Sequence, residues 1–337
     1  MKAGDRPTEE EIIALFAQGS LAEIGQRAAQ AKRERFGDQV FWVRNVHLNY
    51  TNICQEKCRV CFYSKRLGEA GGYVYGIDEI VSRVGQAVAG GAREVHIVGG
   101  INPELKFQYY VDLVGTLRMA FSPLYIKAFT AVEINHLCNI SGMDTVKVLE
   151  ILIEAGLDSL PGGGAEIFSA RVRHELFPNK IPGERWLDIH RTAHELGIKT
   201  TATMLFGHLE TLSERVEHLL MLRDLQDKTG GFVAFVPLPV VGYGKLKEVD
   251  GLDAIRTLAM SRLVLDNFEH IKVFWPIWGQ KLSQLALSYG ADDFDGTVGE
   301  YKIVDQTGIS VERLKGLIEQ AGFTAVERDG RYKETRP

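Results

Sequence analysis

Cysteine is scarce in this chain, with four in 337 residues, and three of the four are crowded into one short stretch. That usage is unlike the paired framework of a small secreted domain and sets aside a disulfide-stapled fold. Long apolar runs are missing as well: nothing comes near the roughly 18 uninterrupted apolar residues that a membrane-spanning helix needs. Basic charge is not in excess. The 39 lysines and arginines stand against 44 aspartates and glutamates, a formal net charge of -5 and a sequence pI of about 6.0, so there is no global electrostatic case for nucleic acid. Low-complexity linkers and short-period repeats are also absent. The opening MKAGDRPTEEEIIALFAQGS is charged and helix-patterned rather than a basic stub before an apolar core, so the expected setting is the cytoplasm, away from membranes. What is present, 45% hydrophobic and 25% charged residues, suits one large globular core with a small molecule as partner.

After a helical opening over 7–35, short β-rich runs alternate with amphipathic helical stretches, the pattern of parallel strands joined by helices. Strands are expected over 44–49, 94–98, 125–130, a short one ending near Ser159, then 200–206, 232–237, 271–275 and a weak last one over 292–297. Intervening segments such as DEIVSRVGQAVAGG and ERWLDIHRTAHELG carry helical periodicity, and several end in a glycine suited to a left-handed cap. Eight such units close a barrel. The expected fold is therefore α/β, a (β/α)8 TIM-type barrel over 41–300. An N-terminal helical extension covers 1–40, and over 301–337 a C-terminal helix and a hairpin turning at Asp329 and Gly330 pack on the barrel. Active groups in such barrels gather at the carboxyl ends of strands, which here read NYTNIC, GGINPE, TAVEINH, PGGGAEIF, GHLET, PLPVVGYG and ADDFDGT.

The crowded cysteines, Cys54, Cys58 and Cys61, follow the first expected strand in NICQEKCRVCFY. Three thiolates can hold a four-iron four-sulfur cluster by three corners and leave the fourth iron open to a small ligand. A structural zinc site is the alternative, but it takes four Cys or His ligands, and no second pair exists: Cys138 stands alone and His47 lies inside a strand. Cys138 reads as a buried free cysteine.

The spacing of four and then three residues, placed after the first strand of a βα barrel, resembles the cluster loop of radical S-adenosylmethionine enzymes. The resemblance implies a [4Fe-4S] cluster on the three cysteines, S-adenosyl-L-methionine chelated to the open iron, and a low-potential electron donor such as flavodoxin or ferredoxin. Many members carry an aromatic residue before the last cysteine; this chain has Val60 there, with Phe62 and Tyr63 following, and Tyr63 is the candidate cover. Gly99 and Gly100 in VHIVGGINP resemble the family's strand-two glycine motif, where a side chain would block the methionine ammonium; a plain turn pair is the other reading. Glu166 and Arg185 fall where related enzymes place acidic and basic partners for methionine, or else are solvated helix charges.

Longer runs narrow the resemblance. KAFTAVEI (127–134), AGLDSLPGGGAEIF (155–168), IHRTAHELGI (189–198), GHLET (207–211), LQDKTGGF (225–232) and GADDFDGTV (290–298) are similar to the aminofutalosine synthase family of the futalosine route to menaquinone. Two sister families share the frame, cyclic dehypoxanthine futalosine synthase and the tyrosine-using half of FO synthase; TAVE and ADDFDGT are the discriminating pieces. The resemblance implies a transferase that adds the 5'-deoxyadenosyl radical to the aromatic enol ether 3-[(1-carboxyvinyl)oxy]benzoate. Rearrangement onto the ring and loss of carboxylate then give 6-amino-6-deoxyfutalosine, methionine and bicarbonate.

For that dianionic substrate the strand ends offer Thr130, Glu133, His208, Glu210 and Asp293 as catalytic candidates, and Asn49, Thr51 and Thr297 as substrate-binding candidates. Arg191, His190 and His194 lie in an expected helix and read as packing or surface residues. After the sixth strand the synthase pattern continues into a longer loop with a His-Pro-x-Asn-Thr run, whereas this chain reads PLPVVGYGKLKEVDG from Pro237. That departure leaves a sister enzyme or a paralogue with another substrate open. Outside the radical enzymes, a non-catalytic iron-sulfur or zinc-binding protein and a metal-free barrel enzyme stay open.

Overall fold

Gln39–Val43 (β1) and Asn45–Leu48 (β2) form one extended segment broken only at Arg44, and the rest of the sheet except its last strand runs between its two halves. The computed structural model describes residues 6–241, 246–296, 300–301 and 306–335. From β2 the order passes through Glu94–Ile97 (β3), Tyr125–Ala128 (β4), Ser159–Leu160 (β5), Lys199–Phe206 (β6), Phe232–Pro239 (β7), His270–Val273 (β8) and Asp293–Phe294 (β9), every neighbour parallel. β9 then pairs with β1, and the Asn45 amide donates to Gly296 O at 3.0 Å across the break. The sheet thus curls back onto its first strand, the barrel that the alternation predicts. That strand starts at Gln39 rather than at 44, because the run from Val40 to Val43 is wholly buried between β9 and the C-terminal segment.

The opening helical stretch is two helices, Glu9–Gln18 (α1) and Leu21–Phe36 (α2), parted at Gly19, where a Cβ would stand 2.4 Å from the Leu15 carbonyl oxygen. The outer layer continues through Ile77–Ala89 (α3), Phe107–Ala120 (α4), Ala131–Ser141 (α5), Thr145–Ala155 (α6), Ala170–Leu176 (α7), Gly183–Glu195 (α8), Leu212–Thr229 (α9), Gly251–Val264 (α10) and Trp275–Ala286 (α11). Their inner faces bury Ile80, Leu113, Leu149, Trp186, Leu219 and Leu258 against outward strand residues such as Val95 and Ile126. Each such side chain contributes about 1.5–3 kcal/mol by leaving water. α5 departs from expectation: TAVEINH is not an irregular strand end but the first turn of a helix, started by a capping box between Thr130 and Glu133.

The tail departs too. Beyond a small antiparallel pair, Glu300–Tyr301 (β10) with Gln306–Thr307 (β11), Val311–Gln320 (α12) leads into Thr324–Arg328 (β12). β12 adds to β1 in parallel, Gln39 opposite Thr324 through Val43 opposite Arg328. Only then does the chain turn back, with Arg328 bridged to Glu334.

Beneath the mouth the barrel interior is charged rather than filled with the branched apolar residues usual there. Glu94 pairs with Lys127 at 3.0 Å, and Asp295 pairs with Lys272 while accepting from Asn45 Nδ2 and lying against His47 Nε2, each at 3.1 Å. Asp293 meets Arg328 through two bonds of 2.9 and 2.5 Å and accepts from Tyr332 Oη at 3.0 Å. Three carboxylates face three cations, so these buried charges are matched.

Candidate active site

The carboxyl ends of β2 to β5 open on one cavity lined by the three half-buried, unbridged cysteines together with Asn49, Tyr63, Gly99, Gly100 and Thr130. Backbone bonds shape the cysteine loop: Cys54 N donates to Lys65 O at 2.9 Å, Gln55 N to Ile101 O at 3.0 Å and Arg59 N to Leu176 O at 2.9 Å. Lys57, Phe129 and Glu166 take left-handed backbone angles (φ 53°, 62° and 50°) at these strand ends, conformations that cost non-glycine residues energy and concentrate at functional sites.

The glycine pair is enforced by contact. A Cβ at Gly99 would stand 2.5 Å from the Tyr50 ring, and one at Gly100 would stand 2.2 Å from Ile53 O. Glu133 ties three strand ends together: its Oε1 accepts from Tyr50 Oη at 2.7 Å and Gly99 N at 3.0 Å, its Oε2 from Thr130 N at 2.7 Å and Thr130 Oγ1 at 2.8 Å. Burial pushes this carboxyl up to about 7 despite those donors. Asn49 Nδ2 donates to Val98 O at 3.1 Å, whereas Thr51 turns its hydroxyl to Tyr73 O at 2.7 Å and shapes the loop from outside the cavity. Tyr63 and Tyr73 meet hydroxyl to hydroxyl, and Tyr73 Oη donates to Asn49 O at 3.0 Å.

Burial raises Cys54 and pushes Cys58 up to about 11, against the opposing charge of Lys180. Buried thiols of this kind ionise when a cationic centre binds them. Among the described residues no three His, Cys, Asp or Glu side chains are placed to share one metal ion, which leaves zinc without a ligand set. Three cysteines at positions 54, 58 and 61 that line one cavity fit a cluster instead, which takes one thiolate per iron at three corners. Glu56, also in the lining, keeps a buried carboxylate oxygen without a partner, an acceptor open to an ammonium group. The residues present therefore fit an iron-sulfur cluster with a zwitterionic ligand beside it.

Several expected residues are committed to protein partners beside or outside the cavity. Glu166 forms an ion pair with Lys180, a cavity residue with no motif in the sequence to mark it. Arg173 holds the surrounding loops, donating to Ala165 O at 2.7 Å and to Ile181 O. Arg185 is committed in the outer layer, to Asn135 at 3.0 Å, Asp188 at 2.9 Å and Thr145 at 2.8 Å, and so links α8 to α5 and α6.

His208 and Glu210 close the turn after β6 rather than line the cavity: Nδ1 lies 2.8 Å from Glu210 Oε2 and Nε2 lies 2.9 Å from Leu205 O. Burial opposes the Glu210 charge, but His208, Arg215 and the Gly207 amide hold its carboxyl down to about 2. Asp293 sits low in the barrel on Arg328, which leaves Asp295 as the carboxylate of ADDFDGT nearer the mouth. Thr297 lies outside the described residues, as does part of the loop after Pro237 at 242–245. His190 and His194 pack between α8 and β6, both against Thr200 Oγ1 (2.9 and 2.8 Å), and Cys138 is free and buried.

Opposite the cysteines is a patch that sequence reading missed. Val236, Leu238, Phe274 and Ile277 form an apolar cluster separate from the main core, with the Phe274 ring 5.5 Å from that of His47. Period-two alternation in β7 was its only signal.

Comparison with known proteins adds five findings. The radical SAM superfamily profile matches residues 48–222, and the CofH/MqnC C-terminal region matches 229–336. An aminodeoxyfutalosine synthase from Thermus thermophilus is 41% identical over 99% of this chain and 93% of its own length. A 5-amino-6-(D-ribitylamino)uracil–L-tyrosine 4-hydroxyphenyl transferase from Methanosarcina barkeri is 34% identical over 98% of this chain and 89% of its own. Among solved structures, methylornithine synthase superposes with a TM-score of 0.76 over 96% of this chain and 95% of that one, at 16% identity, a likeness of fold.

Proposed function

The chain belongs to the radical SAM superfamily, in the group that holds the aminodeoxyfutalosine synthases, and on that premise we propose that it converts 3-[(1-carboxyvinyl)oxy]benzoate to 6-amino-6-deoxyfutalosine. It is a radical SAM transferase of the menaquinone pathway, and its cofactors are a [4Fe-4S] cluster and S-adenosyl-L-methionine. Together these supply, when bound, a 5'-deoxyadenosyl radical for addition to the substrate. The observation that carries the substrate assignment is the end-to-end match to the synthase at 41% identity, against 34% for the tyrosine-using transferase.

In this reading Cys54, Cys58 and Cys61 hold the cluster, with Lys180 placing positive charge toward Cys58. Gly99 and Gly100 give the cofactor's methionine a backbone surface without side chains, and Glu56 accepts from its ammonium. Tyr63 and Asn49 line the approach. Glu133 acts by position: one carboxylate fixes both Gly99 and Thr130. His208 and Glu210 keep the β6 end rigid, Arg185 braces the helices behind, and Asp293 anchors the C-terminal segment. The apolar wall of Val236, Leu238 and Phe274 suits an aromatic ring and offers no hydrogen-bonding group to it.

A low-potential donor of the flavodoxin or ferredoxin kind is the proposed reductant, and the cytoplasm the proposed setting; no described helix is long and apolar enough to cross a membrane. The test is anaerobic reconstitution with iron and sulfide, reduction, and mass spectrometry after incubation with the enol ether. Accumulation of 6-amino-6-deoxyfutalosine is expected. Free 5'-deoxyadenosine without adduct, or turnover of tyrosine with a ribityl uracil acceptor, would move the chain to a sister reaction.

A further inference from the structure

His96 is the least explained polar side chain inside the barrel. It lies in β3 between Val95 and Ile97, whose fully buried side chains face the helices, so alternation turns His96 inward beside His47 of β2 and Lys127 of β4. Two residues further along the same face come Val98, which lines the cysteine cavity, and on β2 Asn49, which does so too. At about 3.3 Å per residue, His96 stands some 6–7 Å beneath that lining. It is half-buried although enclosed by strands, so its free surface is on the barrel's inner space.

Every other titratable group on this floor is matched. Lys127 has Glu94, Lys272 has Asp295, and His47 shares Asp295 as well. His96 has only a ring contact to His47, with centroids 4.7 Å apart, and no hydrogen bond at either ring nitrogen among the described residues. Burial, His47 and Lys127 together keep it neutral, with Asp295 pulling the other way and Lys272 adding to the depression. The floor is thus electrically balanced and carries one imidazole with free hydrogen-bonding capacity.

We propose that His96 receives the ring carboxylate of the aromatic substrate and takes up a proton as it does so, which makes it the residue that selects an aromatic acid. This rests on the substrate class proposed above. The vinyl carbon must face the cofactor at the mouth, so the benzoate carboxylate, at the far side of the ring, points down the barrel. Between them the ring lies along Val236, Leu238 and Phe274. With Lys127 and Lys272 already paired, an arriving anion has no spare cation to meet. A buried carboxylate needs a charge-assisted partner, and protonation of His96 supplies it.

The test uses the cluster-reconstituted protein with S-adenosylmethionine and the probe 3-hydroxybenzoate, by calorimetry at pH 8 in buffers of different ionisation enthalpy. Wild type is expected to bind with uptake of about one proton per ligand. His96→Gln should bind roughly 10–100-fold more weakly, the loss of one charged hydrogen bond, and without proton uptake. Binding to wild type without a proton, no binding to wild type, or proton uptake unchanged in His96→Gln would each overturn the assignment. The wild-type measurement stands whether or not the variant folds, and cluster iron content and melting temperature report on the variant. Adduct formation from the enol ether is scored separately. A wild type that takes up the acid with a proton but makes no adduct keeps the role of His96 and loses the substrate assignment.

Discussion

Gly100→Ala should empty the cysteine loop of its cluster. The added Cβ would stand 2.2 Å from Ile53 O, 2.7 Å from Ile53 C and 2.9 Å from Cys54 Cβ, and the first two of these are backbone atoms that cannot swing aside. The β3 end and the cysteine loop must therefore separate by close to 1 Å before the contact becomes tolerable. That displacement breaks the bond from Gly100 N to Thr51 O (3.0 Å) and disturbs the one from Gln55 N to Ile101 O (3.0 Å), the pair that sets Cys54. At about 1 kcal/mol for each bond and about 1–3 kcal/mol for overpacking, the loop loses roughly 3–5 kcal/mol. Iron and sulfide content after reconstitution, visible absorbance and 5'-deoxyadenosine release are the readouts, with circular dichroism to confirm the barrel. Gly115→Ala is the control, a glycine within α4 with nothing within 4 Å of its added Cβ, and it should leave the cluster intact and gain up to about 1 kcal/mol of stability. A Gly100→Ala protein with full iron content and wild-type cleavage of S-adenosylmethionine would refute the reasoning.

In Glu133→Gln, the hydroxyls of Tyr50 and Thr130 can turn to accept, but one of the amides of Gly99 and Thr130 must face an NH2 group, at a cost of about 1–3 kcal/mol measurable by denaturant unfolding. The same variant should flatten a pH slope. The native carboxyl titrates near 7 against 4.5 unfolded, so wild-type stability from this group falls as pH rises between those values, by up to about 1.4 kcal/mol per unit. Glu210 has the opposite sign: held down to about 2, it stabilises fully above 4.5 and loses that contribution as pH falls through 2, so Glu210→Gln should weaken the acid limb of an unfolding profile. Arg328→Met strands Asp293 in the barrel and should lower stability by about 3–5 kcal/mol, partly recovered by adding Asp293→Asn; thermal melts of the single and double variants decide.

Strand ends were legible because apolar runs switch abruptly to Gly, Asn, Thr and acidic residues there, and these mark the end of a strand wherever the other strands lie. The cysteine spacing was legible for the same local reason. Thr130 and Glu133 were visible as polar residues at a strand end and read as catalytic candidates, with capping by Glu133 as the other reading; Thr-x-x-Glu is itself a helix-start signal. His208 and Glu210 look the same in sequence whether they face substrate or each other; the partner that decides, Arg215, lies one helical turn further on. Asp293 and Asp295 share one face of β9, so only the reach of Arg328 from the far end of the chain separates their roles. Lys180 and the pairing of β12 with β1 carry no local signature at all. Such contacts are set by closure of the whole barrel.

β1 lies between β9 and β12, so the first half of the extended segment that runs through β2 into the cysteine loop is flanked by two of the last segments to be synthesised. During translation the loop leaves the ribosome more than 200 residues ahead of its supports. Until Arg328 emerges and closes on Asp293, β1 has one free edge and β9 a carboxylate without its bidentate partner. Contacts of such long sequence separation form late. The support that reaches the cysteine loop through β1 is therefore completed only when residues 324–328 pair with that strand, so a chain cut before Thr324 keeps the loop's own bonds to Lys65, Ile101 and Leu176 but leaves β1 with an open edge.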